Sequence, residues 1–169
     1  MQLSKRPENI TFSELLSIIE TKKTGQRDRC LYSLRQCLRI KDLSGAPVGS
    51  LLNQDGSVSS VFVSAVDGQR FDLPQQTQKE VKAYLCSRFG VRSLIDLTAA
   101  MRSEPLMSNQ KRRGRFSDNT MAQHLSSLDK FLFAEIRSRQ EATNAQSQGG
   151  EYQQDPSDVP RAFNRLMTL

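Results

Sequence analysis

Residues 58–73 carry the one run of β-forming side chains in the chain, and Asp67-Gly68 divides it in two. Val58, Val61, Phe62, Val63 and Val66 precede that dipeptide. Arg70, Phe71, Asp72 and Leu73 follow it, and Pro74 ends the second strand. Asp-Gly between two such runs predicts a β-hairpin, because a type I′ turn needs positive φ at both central residues. The segments on either side repeat their apolar residues at helical spacing. The fold class that follows is α+β, mostly helical, with one small antiparallel hairpin or three-stranded sheet.

The helices can be placed from their caps. Thr11 and Glu14 match a capping box, and Phe12, Leu15, Leu16 and Ile19 recur behind it at helical intervals. Thr24-Gly25 marks the end of that helix. A second helix is expected over residues 27–43, with Cys30, Leu31, Leu34, Cys37 and Leu38 inward and Arg35, Arg39 and Lys41 on the other side. Ser44-Gly45-Ala46-Pro47 breaks the pattern before the hairpin. A third helix over 76–89 buries Val81, Tyr84 and Leu85, and a short one falls within 93–103 with Leu94, Leu97 and Met101. A compact basic loop comes next, holding Lys111, Arg112, Arg113 and Arg115. Ser117 or Asp118 then caps a long helix whose core stripe is Met121, Leu125, Leu128 and Leu132.

Composition divides the chain further. Its hydrophobic share is 37%, low enough that part of it is expected to stay out of the core. Residues 139–160 are rich in Gln, Ser, Asn, Gly and Pro, which reads as a polar linker or flexible tail. Residues 161–169 regain Phe163, Leu166, Met167 and Leu169, a short amphipathic segment. The expected organisation is a domain over 1–138, a linker over 139–160 and the terminal segment over 161–169.

There are 24 Lys+Arg against 18 Asp+Glu, a net charge of +6. A basic balance favours polyanion partners, since phosphates shed counterions as cations approach. Three cysteines, Cys30, Cys37 and Cys86, form no ligand cluster, and no metal or cofactor is implied. An odd count without an apolar leader points to a reducing, cytoplasmic compartment, and no stretch approaches a membrane span.

The segment Arg27-Asp28-Arg29-Cys30 through Leu34-Arg35-Gln36-Cys37-Leu38-Arg39 resembles the first signature of the tyrosine recombinases, or phage integrases. The order of elements agrees: a capped helix before it, a hairpin ending in Leu73-Pro74 after it, a helix around Lys79, then Pro105-Leu106-Met107. A basic loop and Ser117-Asp118-Asn119-Thr120-Met121 complete the match over residues 10–137. The resemblance implies a truncated and degenerate recombinase catalytic domain. It places Arg39 at the family's first catalytic arginine and Asp42 where a supporting glutamate usually stands. The hairpin lysine falls just before the turn in that family; Val66 and Asp67 stand there. Nothing follows the long helix that matches the second arginine motif. His124 lies inside that helix, and Tyr152 sits in the polar tail.

With no supported nucleophile beside its activating groups, no catalytic residue is assigned. The resemblance leaves double-stranded DNA as the partner. Arg39, Lys111, Arg112, Arg113 and Arg115 are the candidate backbone contacts. Asn119, Thr120 and Gln123 are the candidate base readers, with His124 and Ser127 beside them, because Asn and Gln suit bidentate contacts to adenine. Each has a plainer reading: a solvated basic loop, an Arg39 paired with Asp42 at i, i+3, a partly exposed His124. Three functions stay in view. The first is a non-catalytic DNA-binding regulator or accessory factor of a mobile element such as a plasmid, phage or integrative element. The second is a divergent recombinase or transesterase using Tyr152 or a partner-completed site. The third is an interaction module that binds a recombinase or another partner protein, and the C-terminal segment is the candidate surface for a partner or a homodimer.

Overall fold

The computed structural model describes residues 10–108 and 116–151, with side chains as far as residue 146. The chain divides into two compact units, one up to Asp129 and one from Lys130. The first contains helices α1 (Phe12–Glu20), α2 (Gly25–Arg35), α3 (Ile40–Gly45), α4 (Gln75–Phe89) and α5 (Ala99–Ser103). Strands β1 (Val61–Val63) and β2 (Arg70–Asp72) lie between α3 and α4. Helix α6 (Asp118–Glu151) begins in the first unit and supplies the described part of the second. No helix among the described residues is long and apolar enough to cross a membrane.

The fold is mostly helical with a two-stranded antiparallel sheet, as the sequence led us to expect. The capping box forms: the Glu14 N–H donates to Thr11 Oγ1 at 3.2 Å, and the Thr11 N–H donates to Glu14 Oε2 at 2.7 Å. Helix α1 ends at Glu20, before Thr24-Gly25, and Gly25 opens α2 instead. The reason is contact: a Cβ on Gly25 would lie 2.5 Å from the Glu20 carbonyl oxygen.

The helix expected over 27–43 is two helices. Helix α2 stops at Arg35, and Arg39 takes an extended conformation as the N-cap of α3, its carbonyl accepting from the Asp42 and Leu43 N–H groups. Leu38 and Leu43 are both buried. In one continuous helix they would point about 140° apart, so only one could face the core. Breaking the helix buries both and turns Arg39 toward the hairpin. No glycine or proline marks the break.

The hairpin pairs Val61 with Asp72, Phe62 with Phe71 and Val63 with Arg70. Its connection is wider than the expected two-residue turn. The Ser64 N–H donates to Gln69 O at 2.8 Å, leaving residues 65–68 as the loop, and the Gly68 N–H returns to Ser64 O at 2.9 Å. Gly68 adopts φ 72°, the left-handed conformation that closes the loop.

One core joins α2, α3, the hairpin, α4 and the start of α6, with Leu31, Leu34, Leu43, Phe62, Leu85 and Met121 among its buried members. Polar pairs inside it are matched. Arg29 makes a two-point pair with Glu80, at 3.0 and 2.7 Å, which ties α2 to α4. Ser33 donates to Thr77 at 3.0 Å across the same interface. In the second unit, α6 stays helical through the stretch whose composition reads as a linker, as far as Glu151. Residues 137–146 of it are exposed throughout.

Candidate functional site

Arg39 is held from two sides. Its Nε and Nη2 donate to Asp42 at 2.7 and 3.3 Å, and Asp42 is buried at the base of the site. Its Nη1 and Nη2 donate to Asp67, in the hairpin loop, at 2.8 and 3.0 Å. The remaining Nη1 hydrogen goes to Gln69 Oε1 at 3.1 Å. A guanidinium has five N–H groups, and all five are used. The Arg39 guanidinium carbon lies over the Phe71 ring, 5.0 Å from its centroid. Asp42 also accepts from Ser64 Oγ at 2.6 Å, and Lys41 Nζ stands 3.7 Å from Asp67.

The electrostatics follow from that geometry. Burial alone would raise the Asp42 carboxyl, but hydrogen bonds from Arg39 and Ser64 bring it below the usual carboxylate range. The Arg39 hydrogen bonds, with the Gln69 N–H, hold Asp67 far below that range. The two carboxylates in turn raise the Arg39 guanidinium. The site as built is an internally neutralised ion cluster.

The second group lies at the start of α6. Ser117 is the cap, accepting from the Thr120 N–H at 3.1 Å. Met121, Leu125 and Leu128 turn into the protein, which leaves Asn119, Thr120 and Gln123 exposed on the other side. Ser127 is exposed as well and donates to the Gln123 carbonyl at 3.0 Å. Helix α3 links the two groups. Arg39 caps one end of its six residues, and near the other end Ser44 donates to Asp118 at the head of α6. Six helical residues span about 9 Å.

His124 has a partner that sequence spacing does not reveal. Its Nε2 lies 2.9 Å from Oδ1 of Asp28 on α2. Thr24 donates to the same carboxylate at 2.7 Å, and Lys22 and Arg27 stand 3.7 and 3.4 Å from it. Phe116 stacks on the His124 ring at 6.0 Å, with the Arg27 guanidinium 5.8 Å from the Phe116 centroid. The imidazole therefore docks α6 on α2 and is turned away from the Asn119 and Gln123 side.

The structure thus brings Arg39, Asn119, Thr120 and Gln123 to elements joined by α3. Lys111, Arg112, Arg113 and Arg115 lie outside the described residues, as do Tyr152 and the segment over 161–169. Asp67, Gln69 and Asp28 are the contributors that sequence reasoning missed. The i, i+3 spacing of Arg39 and Asp42 was visible, but the Asp67 contact spans 28 residues and the Asp28 contact 96. No group of three or more His, Cys, Asp or Glu side chains among the described residues is placed to hold a metal ion.

No protein-family model matches the sequence, and no curated protein matches it. The fold is similar to that in a crystal structure of XerA recombinase, with a TM-score of 0.50 at 18% identity. The match covers 76% of this chain and 45% of that one, so this chain aligns with less than half of the recombinase's length. The fold is recombinase-like.

Proposed function

We propose that this chain binds duplex DNA without cutting it, as a regulator or accessory factor of a mobile genetic element. The observation that carries the reading is the outer face of α6: Asn119, Thr120 and Gln123 are exposed together directly after a run of four cations in the sequence. Phosphate contacts fix register and base contacts specify sequence, so such a pairing of cations with amide side chains fits a DNA reader. The recombinase-like fold is compatible with it. The non-cutting half is supported by Arg39. Val66 and Asp67 stand where the family's hairpin lysine falls, and with the loop closed every Arg39 N–H that would face a phosphorane is taken by Asp42, Asp67 or Gln69.

The test is duplex binding measured against salt, for the wild type and for a variant with Lys111, Arg112, Arg113 and Arg115 changed to Ala. A steep salt dependence is expected in the wild type. Its log–log slope should become shallower by about 0.9 for each cation that touches phosphate. Equal and weak binding by both proteins would overturn the reading. A covalent adduct on a nicked duplex, lost in Tyr152→Phe, would overturn the non-cutting half alone.

A further inference from the structure

We infer that Asp67 is a tethered internal ligand: it fills an oxyanion position built by Arg39 and Lys41, and an external phosphate group takes that position when the hairpin loop lifts. The inference deepens the DNA-binding reading, and its duplex arm rests on that reading.

The two carboxylates on Arg39 are not alike. Asp42 is fully buried, fixed by Ser64 and by its place on α3, whereas the Asp67 side chain is 40% exposed. With Asp67 removed, Asp42 still grips the Nε edge and the guanidinium carbon still sits over the Phe71 ring. Arg39 would therefore keep its direction and present a two-point edge to solvent, the geometry that suits a phosphate oxygen pair. Lys41, now 3.7 Å from the Asp67 carboxylate, supplies a second cation at the same spot.

The loop is built to leave at little cost. Residues 65–70 are all exposed, and the one large apolar side chain at the tip, Val66, is 63% exposed. The bonds closing the loop are internal to it: Gly68 N–H to Ser64 O, Val66 N–H to Ser64 Oγ, Gln69 N–H to Asp67 Oδ1. Beyond these, residues 65–70 are tied to the body by the hydrogen bonds that Arg39 makes to Asp67 and Gln69, while Ser64 at the foot of the loop stays bound to Asp42. Exposed ion pairs contribute little net stability, so a polyanion, which carries many phosphates and releases counterions, can compete with one carboxylate.

The experiment follows the Nε–H signal of Arg39 by ¹H–¹⁵N NMR during titration with inorganic phosphate. Wild type, Asp67→Asn, Asp67→Ser and Asp72→Asn are compared. Asp72 is exposed on β2 and serves as a charge control on the same hairpin. Both Asp67 variants should show a saturating shift at about tenfold lower phosphate than the wild type, while Asp72→Asn behaves as the wild type. An equal response in all four proteins, or none in the Asp67 variants, overturns the inference. In duplex binding, Asp67→Asn should gain about three- to tenfold over Asp72→Asn. An equal gain in the two would be bulk charge and would overturn the inference while leaving the DNA reading intact. A phosphate response at Arg39 without duplex binding by any of the proteins supports the inference and removes the DNA reading.

Discussion

The Arg39 site and the outer face of α6 lie at the two ends of one short helix, and they treat polar groups in opposite ways. At Arg39 five donors meet two carboxylates and an amide, and the cation is neutralised inside the fold. On α6, Asn119 and Gln123 keep their side-chain amides exposed, over a buried stripe of Met121, Leu125 and Leu128. A satisfied charge cluster holds elements together; an exposed row of amides holds nothing and is open to a partner. With the hairpin loop closed, the Arg39 guanidinium is paired entirely within the fold, whereas the α6 amides are exposed.

Substitutions can break this comparison. The largest expected effect is on the structural side. Asp42→Ala strips Arg39 of its inner partner and leaves the buried Ser64 hydroxyl without an acceptor, and it should destabilise the fold by about 3 kcal/mol in urea unfolding. A change below about 0.5 kcal/mol would mean that the cluster does not hold α3 to the hairpin.

On the α6 side the prediction inverts. Asn119→Ala and Gln123→Ala should change stability by less than about 0.5 kcal/mol. Each should alter discrimination between duplex sequences by about 1–2 kcal/mol, read by competition binding. If either variant unfolds the protein or leaves sequence preference untouched, the division between the two regions fails.

Acid should act on the two regions unequally. Asp42 and Asp67 sit below their unfolded-state values, so protons bind the unfolded chain first, with solvent screening leaving the exposed Asp67 the smaller share. Their contribution is complete above the unfolded carboxylate value, about pH 4, and is lost as pH falls through the lower folded values. Asp28, also lowered despite its burial by the His124 and Thr24 hydrogen bonds, adds to the same trend. Stability measured by denaturant at pH 6, 4 and 3 should fall across that series. A flat profile would argue that these pairs are no stronger folded than unfolded.

The smallest effect expected is chemical. Cys30 is fully buried and its thiol is pushed up by burial, with the Glu80 charge adding to this. It should resist thiol reagents in the native protein while the partly exposed Cys37 and Cys86 react. Labelling of Cys30 at the rate of the other two would show that the core around α2 opens readily.

Much of this was legible along the chain. The capping box at Thr11, the hairpin around Asp67-Gly68 and the stripe from Met121 to Leu128 are set by residues a few positions apart, where periodicity and caps act. The split of the helix expected over 27–43 was not legible. It follows from the need to bury Leu38 and Leu43 together, and no breaker residue announces it.

By itself, the sequence determined the helical content, the single hairpin, the basic balance and the placing of Asn119, Thr120 and Gln123 on one helix. These depend on local spacing and side-chain type. Only the tertiary structure decided which charges are spent internally. Arg39 is neutralised because the helix breaks before it and a four-residue loop, not a two-residue one, carries Asp67 to it. His124 is turned inward because Asp28, 96 residues away, is buried beneath it. Such pairings depend on which elements pack together, and one-dimensional spacing holds no record of that.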